Sequence, residues 1–318
     1  MFLESFRITG LAVLQIFILG AIGYFLVKKN TLGEAGLDAL SRLTIEITLP
    51  AMIFCQLIKD FSFKLYPNWW VFPLLSVGIT LLGLGVGSIF SWFISTGEQR
   101  QQFLSLVTFQ NSGYLPLALV AALLPQEQLS QIFIYLFLFL LGFNVVIFSF
   151  GIYLLSFSKT NKFALGSLFS PPVIATLITL AAIFFGLNRF LPEFIFRPLK
   201  MIGDCTLPLA IFVVGGNLAQ IRLERINKKA ILLMSLAKLV ILPAIGLFLI
   251  LRLRLPQMIG LLILIELAVP SATFLSVFIR QYKKDDLLIS QGLFFGHILS
   301  IITIPVFLSL YFTLVMLR

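Results

Sequence analysis

Four ionisable side chains stand inside stretches that are otherwise apolar: Glu46, Asp204, Lys238 and Glu266. A charge in such a stretch is costly unless it faces protein or water, so each is a candidate for ion or ligand handling. Arg42 and Glu46 are four residues apart, as are Lys200 and Asp204, so each pair shares a helix face. They read equally as intrahelical ion pairs or as supports beside a central site, each one turn from a Thr-Leu-Pro segment that begins at Thr48 or Thr206. Lys238 and Glu266 form either a mutual ion pair or two separate tools: a counter-ion for an anion, and a protonatable coupling group. His297 is a fifth titratable group that could relay protons or simply be packed and hydrogen-bonded.

A second kind of chemistry is suggested by Asn111-Ser112-Gly113-Tyr114-Leu115-Pro116. Pro116 has no amide proton and collides with the preceding turn, while Gly113 lets the backbone leave helical angles. The motif therefore reads as an ordinary kink or as a true helix break. In a break, the amides that open the next half-helix would carry partial positive charge suited to a carboxylate, with the Asn111 side chain beside them. Pro270, flanked by the small or uncharged Ala268, Val269 and Ser271, repeats the signal in the second half and favours the break.

The elements that must position these residues follow from composition. The chain has 318 residues, 59% apolar and 11% charged, with a mean hydropathy of +1.06. That leaves too little charge to clothe a soluble surface, so a lipid bilayer must cover much of it. About 20 helical residues cross a bilayer. Ten segments qualify, near 6–27, 37–58, 69–95, 102–124, 130–156, 170–189, 195–218, 230–252, 256–279 and 287–316. Runs such as IFIYLFLFLLGFNVVIFSF are apolar all round, which excludes a β-barrel. Counting from these edges puts Lys238 and Glu266 within about 5 Å of the bilayer centre.

The net charge of +10 does not form one basic face, so nucleic acid is not an expected partner. Its pattern reports topology instead. One set of loops carries twelve Lys and Arg: Lys28, Lys29, Arg100, Lys159, Lys162, Arg222, Arg225, Lys228, Lys229, Arg280, Lys283 and Lys284. The other carries eight: Arg7, Lys59, Lys64, Arg189, Arg197, Arg252, Arg254 and Arg318. The first set is expected in the cytoplasm, with both termini outside a plasma or inner membrane.

The two halves repeat. At an offset of 158, Arg42 lies over Lys200, Glu46 over Asp204, and Thr48-Leu49-Pro50 over Thr206-Leu207-Pro208. Near 160, Ser130-Gln131 falls over Ser290-Gln291, and at 154 Pro116 falls over Pro270. Lys238 and Glu266 break this symmetry, lying over Thr80 and Ser112. A five-span unit is odd-numbered, so a second copy enters the membrane inverted. The expected fold is an all-α membrane protein of ten transmembrane helices, arranged as two inverted five-helix repeats, 1–158 and 159–318, in a single membrane domain.

FQNSGYLPLAL at 109–119, FVVGGNLA at 212–219 and the run DDLLISQGLFFGHILSIITIPVFLSL at 285–310 resemble the auxin efflux carrier family, within the larger group of bile-acid and sodium/proton antiporter folds. The likeness extends over essentially the whole chain. It implies that helices four and nine are broken and cross near the membrane centre. It also implies export of small organic anions, auxin in plant members and carboxylates in some bacterial ones. A single Asn before Gly113 departs from the richer plant pattern. The resemblance admits coupling to protons or sodium, and a homodimer.

The combined expectation is a carrier that binds its anion at Asn111, Ser112, Gly113, Tyr114, Pro116, Pro270, Ser271 and Lys238, with Glu266, Glu46, Asp204, Thr48 and Thr206 for coupling or support. A channel and a transporter-derived sensor are the alternatives. No His-Glu-x-x-His pair, Gly-x-Ser-x-Gly elbow, Gly-rich phosphate loop or Cys-x-x-Cys is present, so no enzyme, metal or cofactor is expected.

Overall fold

The computed structural model describes residues 2–94, 97–151, 154, 169–221, 223, 225–281 and 287–316. The expected boundary between repeats at 158, the loop cations Lys159, Lys162, Arg222, Lys283, Lys284 and Arg318, and Asp285-Asp286 at the head of the C-terminal run lie outside the described residues.

Seven helices are long and apolar enough to cross a membrane. They are α1 (Phe2–Lys28), α2 (Glu34–Asp60), α3 (Val71–Ser91), α6 (Gln126–Gly151), α8 (Glu193–Ala219), α9 (Lys228–Leu253) and α12 (Leu287–Met316). Between them lie shorter pieces: α4 (Glu98–Thr108), α5 (Tyr114–Leu123), α7 (Pro171–Phe184), α10 (Gln257–Ala268) and α11 (Phe274–Gln281). The segments read as 102–124 and 256–279 are thus each two helices joined by non-helical chain, while the segment near 170–189 is a short helix closed by a 3-10 turn, Leu187–Phe190. The protein is a multi-pass, all-helical membrane protein. The one strand-like feature among the described residues is an antiparallel bridge between Gln110 and Ser271.

Proline accounts for two of the three widened turns among the described residues. Its ring displaces the carbonyl four residues back, and a widened π turn is one way to absorb that clash. Such turns, Thr44–Thr48 and Ala237–Ile241, stand immediately before Leu49-Pro50 and Leu242-Pro243. At the matching place in α8, a single residue, Cys205, interrupts the helix ahead of Thr206-Leu207-Pro208.

The helices sort into two groups. α1, α2, α7 and α8 pack on one another, α3, α4 and α6 pack with α9, α10 and α12, and α5 packs on α1, α8 and α6. Glycines allow the closest approaches, as expected where backbone contact drives helix association. A Cβ on Gly203 would lie 2.8 Å from the Met52 backbone, holding α8 on α2. One on Gly215 would collide with the Gly20 backbone, which fixes the crossing of α8 and α1. In the other group, a Cβ on Gly83 would come within 3.0 Å of the Thr108 carbonyl, so α3 lies flat against the end of α4. The groups meet along α1 and α12, α1 and α5, α8 and α5, and α2 and α6.

Candidate functional site

Residues 109–113 and 269–273 lie side by side, because each interrupted helix lacks the backbone partners a continuous one would supply. The Asn111 amide donates to the Pro270 carbonyl at 2.9 Å, and the Ala272 amide donates to the Phe109 carbonyl at 3.0 Å. Pro270 has no N–H, so a carbonyl is all its backbone contributes. The Ser271 hydroxyl donates to the Leu106 carbonyl at 2.5 Å and so caps the last turn of α4. Pro116 sits at the third position of α5, inside the first turn, where an amide would have no intrahelical acceptor. Gly113 adopts φ −87° and ψ −73°, angles open to any residue, and an added Cβ would meet no atom within 4 Å, so neither conformation nor packing requires glycine here.

Hydroxyls inside the continuous helices mostly satisfy themselves. Thr80 donates to the Ser76 carbonyl at 2.8 Å, Thr176 to Pro172 at 2.9 Å and Thr179 to Ala175 at 2.6 Å. At the first break the residues after Thr108 lose this route, since the helix has ended. Thr108 Oγ1, both amide atoms of Gln110, Asn111 Nδ2, Ser112 Oγ and Tyr114 Oη are all buried without a hydrogen-bond partner. Such groups are rare in a folded protein, and a cluster of them marks a place meant for a guest or for water.

Two charged groups overlook this cluster. Glu266, on the last turns of α10, is 0% exposed, and its carboxylate faces the side chains of Ser112 and Gln110 without a hydrogen bond of good geometry. Ser112, Lys238 and Gln110 are the groups whose dipoles and charge act on it. Lys238 is 1% exposed and lies on the widened turn of α9, which packs against α3, α4, α10 and α12. Among the described residues, the ion pairs within 4.0 Å are Arg197–Glu193 and Lys200–Asp204. Lys238 and Glu266 therefore influence each other across a gap and are not a contact pair. The arrangement offers a cation, an acid and neutral donors and acceptors around two crossing breaks.

A model of the family described as "Membrane transport protein" matches residues 10–308. The chain belongs to this family of membrane transporters. The resemblance to auxin efflux carriers is borne out by the relatives of this family member. It is 26% identical to Protein PIN-LIKES 7 of Arabidopsis thaliana over 133 residues, 40% of this chain and 33% of that protein. Protein PIN-LIKES 1 of the same plant is 34% identical over 104 residues, 29% of this chain and 21% of that protein. An uncharacterized transporter of Schizosaccharomyces pombe is 28% identical over 111 residues, covering 35% and 25%. The chain thus spans a third or less of the length of each of these relatives.

Within this transporter, the crossing brings together Asn111, Ser112, Gly113, Tyr114, Pro116, Pro270 and Ser271, with Glu266 facing Ser112 and Lys238 acting on Glu266. Glu46, Thr48, Asp204 and Thr206 lie elsewhere. Glu46 is exposed on a turn that packs against α7 and α8, and Thr48 bonds back to the Thr44 carbonyl at 3.4 Å. Asp204 is exposed and bonded to Lys200 at 2.7 Å, so the plain ion-pair reading holds for that pair. Its repeat mate Arg42–Glu46 forms no contact pair among the described residues. Asp204 and Lys200 instead border a polar cavity of about 440 Å³ with Gln56, Lys59, Asp60 and Ser130, where the two helix groups face each other. Thr206 is buried with its hydroxyl unpartnered. Gln110 and Thr108 were missed by sequence reasoning. The available signal was an amide and a hydroxyl within three residues of a Pro-broken Asn motif.

Proposed function

We propose that this chain is a secondary carrier of small organic anions, built as ten spans in two inverted five-helix repeats, with the anion held where the two broken helices cross. The single observation that carries this reading is the cluster of unpartnered polar groups at 108–114, placed against Pro270 and facing Glu266, on which the Lys238 charge acts. Asn111 and Gln110 donate to the carboxylate together with the opening amides of α5, and Lys238 supplies the counter-charge. Glu266, a fully buried acid that faces Ser112 and Gln110, takes up the coupling proton or cation. The names of the plant relatives support an auxin-like weak acid as one member of the substrate class. Both termini outside the plasma or inner membrane is the topology supported by the loop charges.

Motion follows from the two helix groups. Rocking or sliding of the group that contains both breaks against α1, α2, α7 and α8 would expose the crossing to one side and then the other. The test is transport of labelled small monocarboxylates in proteoliposomes. The proposal expects uptake that saturates and is stimulated by unlabelled substrate on the opposite side. Flux that stays linear with concentration and shows no exchange would replace the carrier with a channel.

A further inference from the structure

A groove of about 320 Å³ runs between α9 and α12. Ile231, Leu232 and Ser235 of α9 and Phe295 and Leu299 of α12 are its walls, and Lys228, the first residue of α9, stands at one end. Positions 228, 231, 232 and 235 share one face of α9, so the groove follows that helix for about 10 Å. Leu232 is 71% exposed and Leu299 40%, which leaves the groove open to whatever surrounds the helices. The Ser235 hydroxyl is buried with no hydrogen-bond partner. The Asn227 amide donates to Gln291 Oε1 at 3.1 Å, and Asn227 Oδ1 accepts from the Ala230 amide at 3.1 Å, so the charged end is tied to both helices.

That end is basic. Between 222 and 229 the sequence carries Arg222, Arg225, Lys228 and Lys229 against one acid, Glu224. Lys228 and Lys229 are exposed, the first turn of α9 holds no acid, and neither lysine makes an ion pair among the described residues. A helix N-terminus already bears partial positive charge, so two lysines there leave a field that an anion would neutralise. We propose that the groove holds one anionic glycerophospholipid, with its phosphate against Lys228 and Lys229 and an acyl chain along Ile231, Leu232, Phe295 and Leu299. The end of a spanning helix is where lipid headgroups lie, and the walls beyond Lys228 run into the hydrocarbon, so groove and lipid change polarity in the same order. A soluble anion would leave the apolar walls uncovered, and a zwitterionic lipid would bring its own ammonium to the two lysines. A second copy of this chain, docked here by two-fold symmetry, would set the same lysines against each other.

The test is equilibrium binding without transport, so the site stands or falls separately from the carrier reading. The full-length protein in detergent micelles is titrated with phosphatidylglycerol or with phosphatidylcholine of the same acyl chains, and bound lipid is counted by native mass spectrometry. The proposal expects one saturable phosphatidylglycerol per chain, about tenfold tighter than phosphatidylcholine. Lys228→Gln with Lys229→Gln removes that preference and leaves phosphatidylcholine within about twofold. Lys28→Gln with Lys29→Gln, an equally exposed pair at the end of α1, leaves the preference intact. Leu299→Trp, which fills the groove, weakens phosphatidylglycerol at least about tenfold. Glycerol phosphate, which has the anion without the chains, does not displace the lipid. Equal affinities for the two lipids would overturn the proposal, as would a preference that survives the change at Lys228 and Lys229. Loss of the preference through Lys28 and Lys29 would make it a matter of overall charge, and displacement by glycerol phosphate would make this a free-anion site. Binding that survives Leu299→Trp, or a dimer that Leu299→Trp dissolves, would likewise overturn it. If Leu299→Trp fails to fold, the native preference and the two lysine pairs still decide.

Discussion

The two helix breaks meet through the same pair of backbone hydrogen bonds, yet they use their side chains in opposite ways. In the second break Ser271 is spent on the Leu106 carbonyl, and Pro270 offers a carbonyl already taken by the Asn111 amide. In the first, Gln110, Asn111 and Ser112 keep buried polar atoms with no partner. One break acts as a brace and the other as the face that can receive a ligand. Inverted copies of one unit would begin equivalent, and the proposed substrate site falls on the break whose side chains remain free. The charges fall on the same asymmetry, since Lys238 and Glu266 both come from the second half while Thr80 and Ser112 hold the corresponding places in the first.

Substitutions can break this comparison. Lys238→Met should raise the substrate concentration for half-maximal uptake about thirtyfold, because a buried counter-charge is removed. The melting temperature should stay level or rise, since an unpaired buried ammonium is itself costly. A lower melting temperature with unchanged uptake would assign Lys238 to structure alone. Gln110→Leu should weaken affinity about tenfold by deleting one hydrogen bond to a charged ligand. Ser271→Ala should do the reverse of both. It should cost about 1 kcal/mol, read as a drop of about 2 °C in melting temperature, with half-saturation within about twofold of native. Loss of affinity in this variant would erase the distinction between brace and face. The smallest effect belongs to Lys200→Met, which removes an exposed ion pair and should change stability by less than about 0.5 kcal/mol and transport by less than about twofold.

The fold was legible where the sequence breaks its own rules. Pro116 and Pro270 announced the interruptions because proline cannot continue a hydrogen-bonded ladder, and the scarcity of charge made the apolar stretches readable as spans. Polar residues inside those stretches were harder to rank. Thr80, Thr176 and Gln110 look alike as polar residues in apolar surroundings. The two threonines bond back to their own helix, and Gln110 cannot because its helix ends two residues earlier. Only the position of that end separates a polar residue bonded to its own helix from one left without a partner. The acids at Glu46 and Asp204 drew attention for the opposite reason, as matched repeats near proline motifs, yet both face outward from the helices that carry them. Periodicity alone did not give the pairing of α8 with α1, which rests on backbone contact at Gly20, Gly23 and Gly215.

The central claim is that the first break receives the substrate. Counterflow of a labelled monocarboxylate into proteoliposomes carrying the Asn111→Ala protein tests it most directly, with melting temperature measured on the same preparation. The account predicts loss of saturable counterflow, at least about a hundredfold in rate over half-saturation constant, with a melting temperature within about 2 °C of native. Native transport kinetics in the Asn111→Ala protein would contradict it.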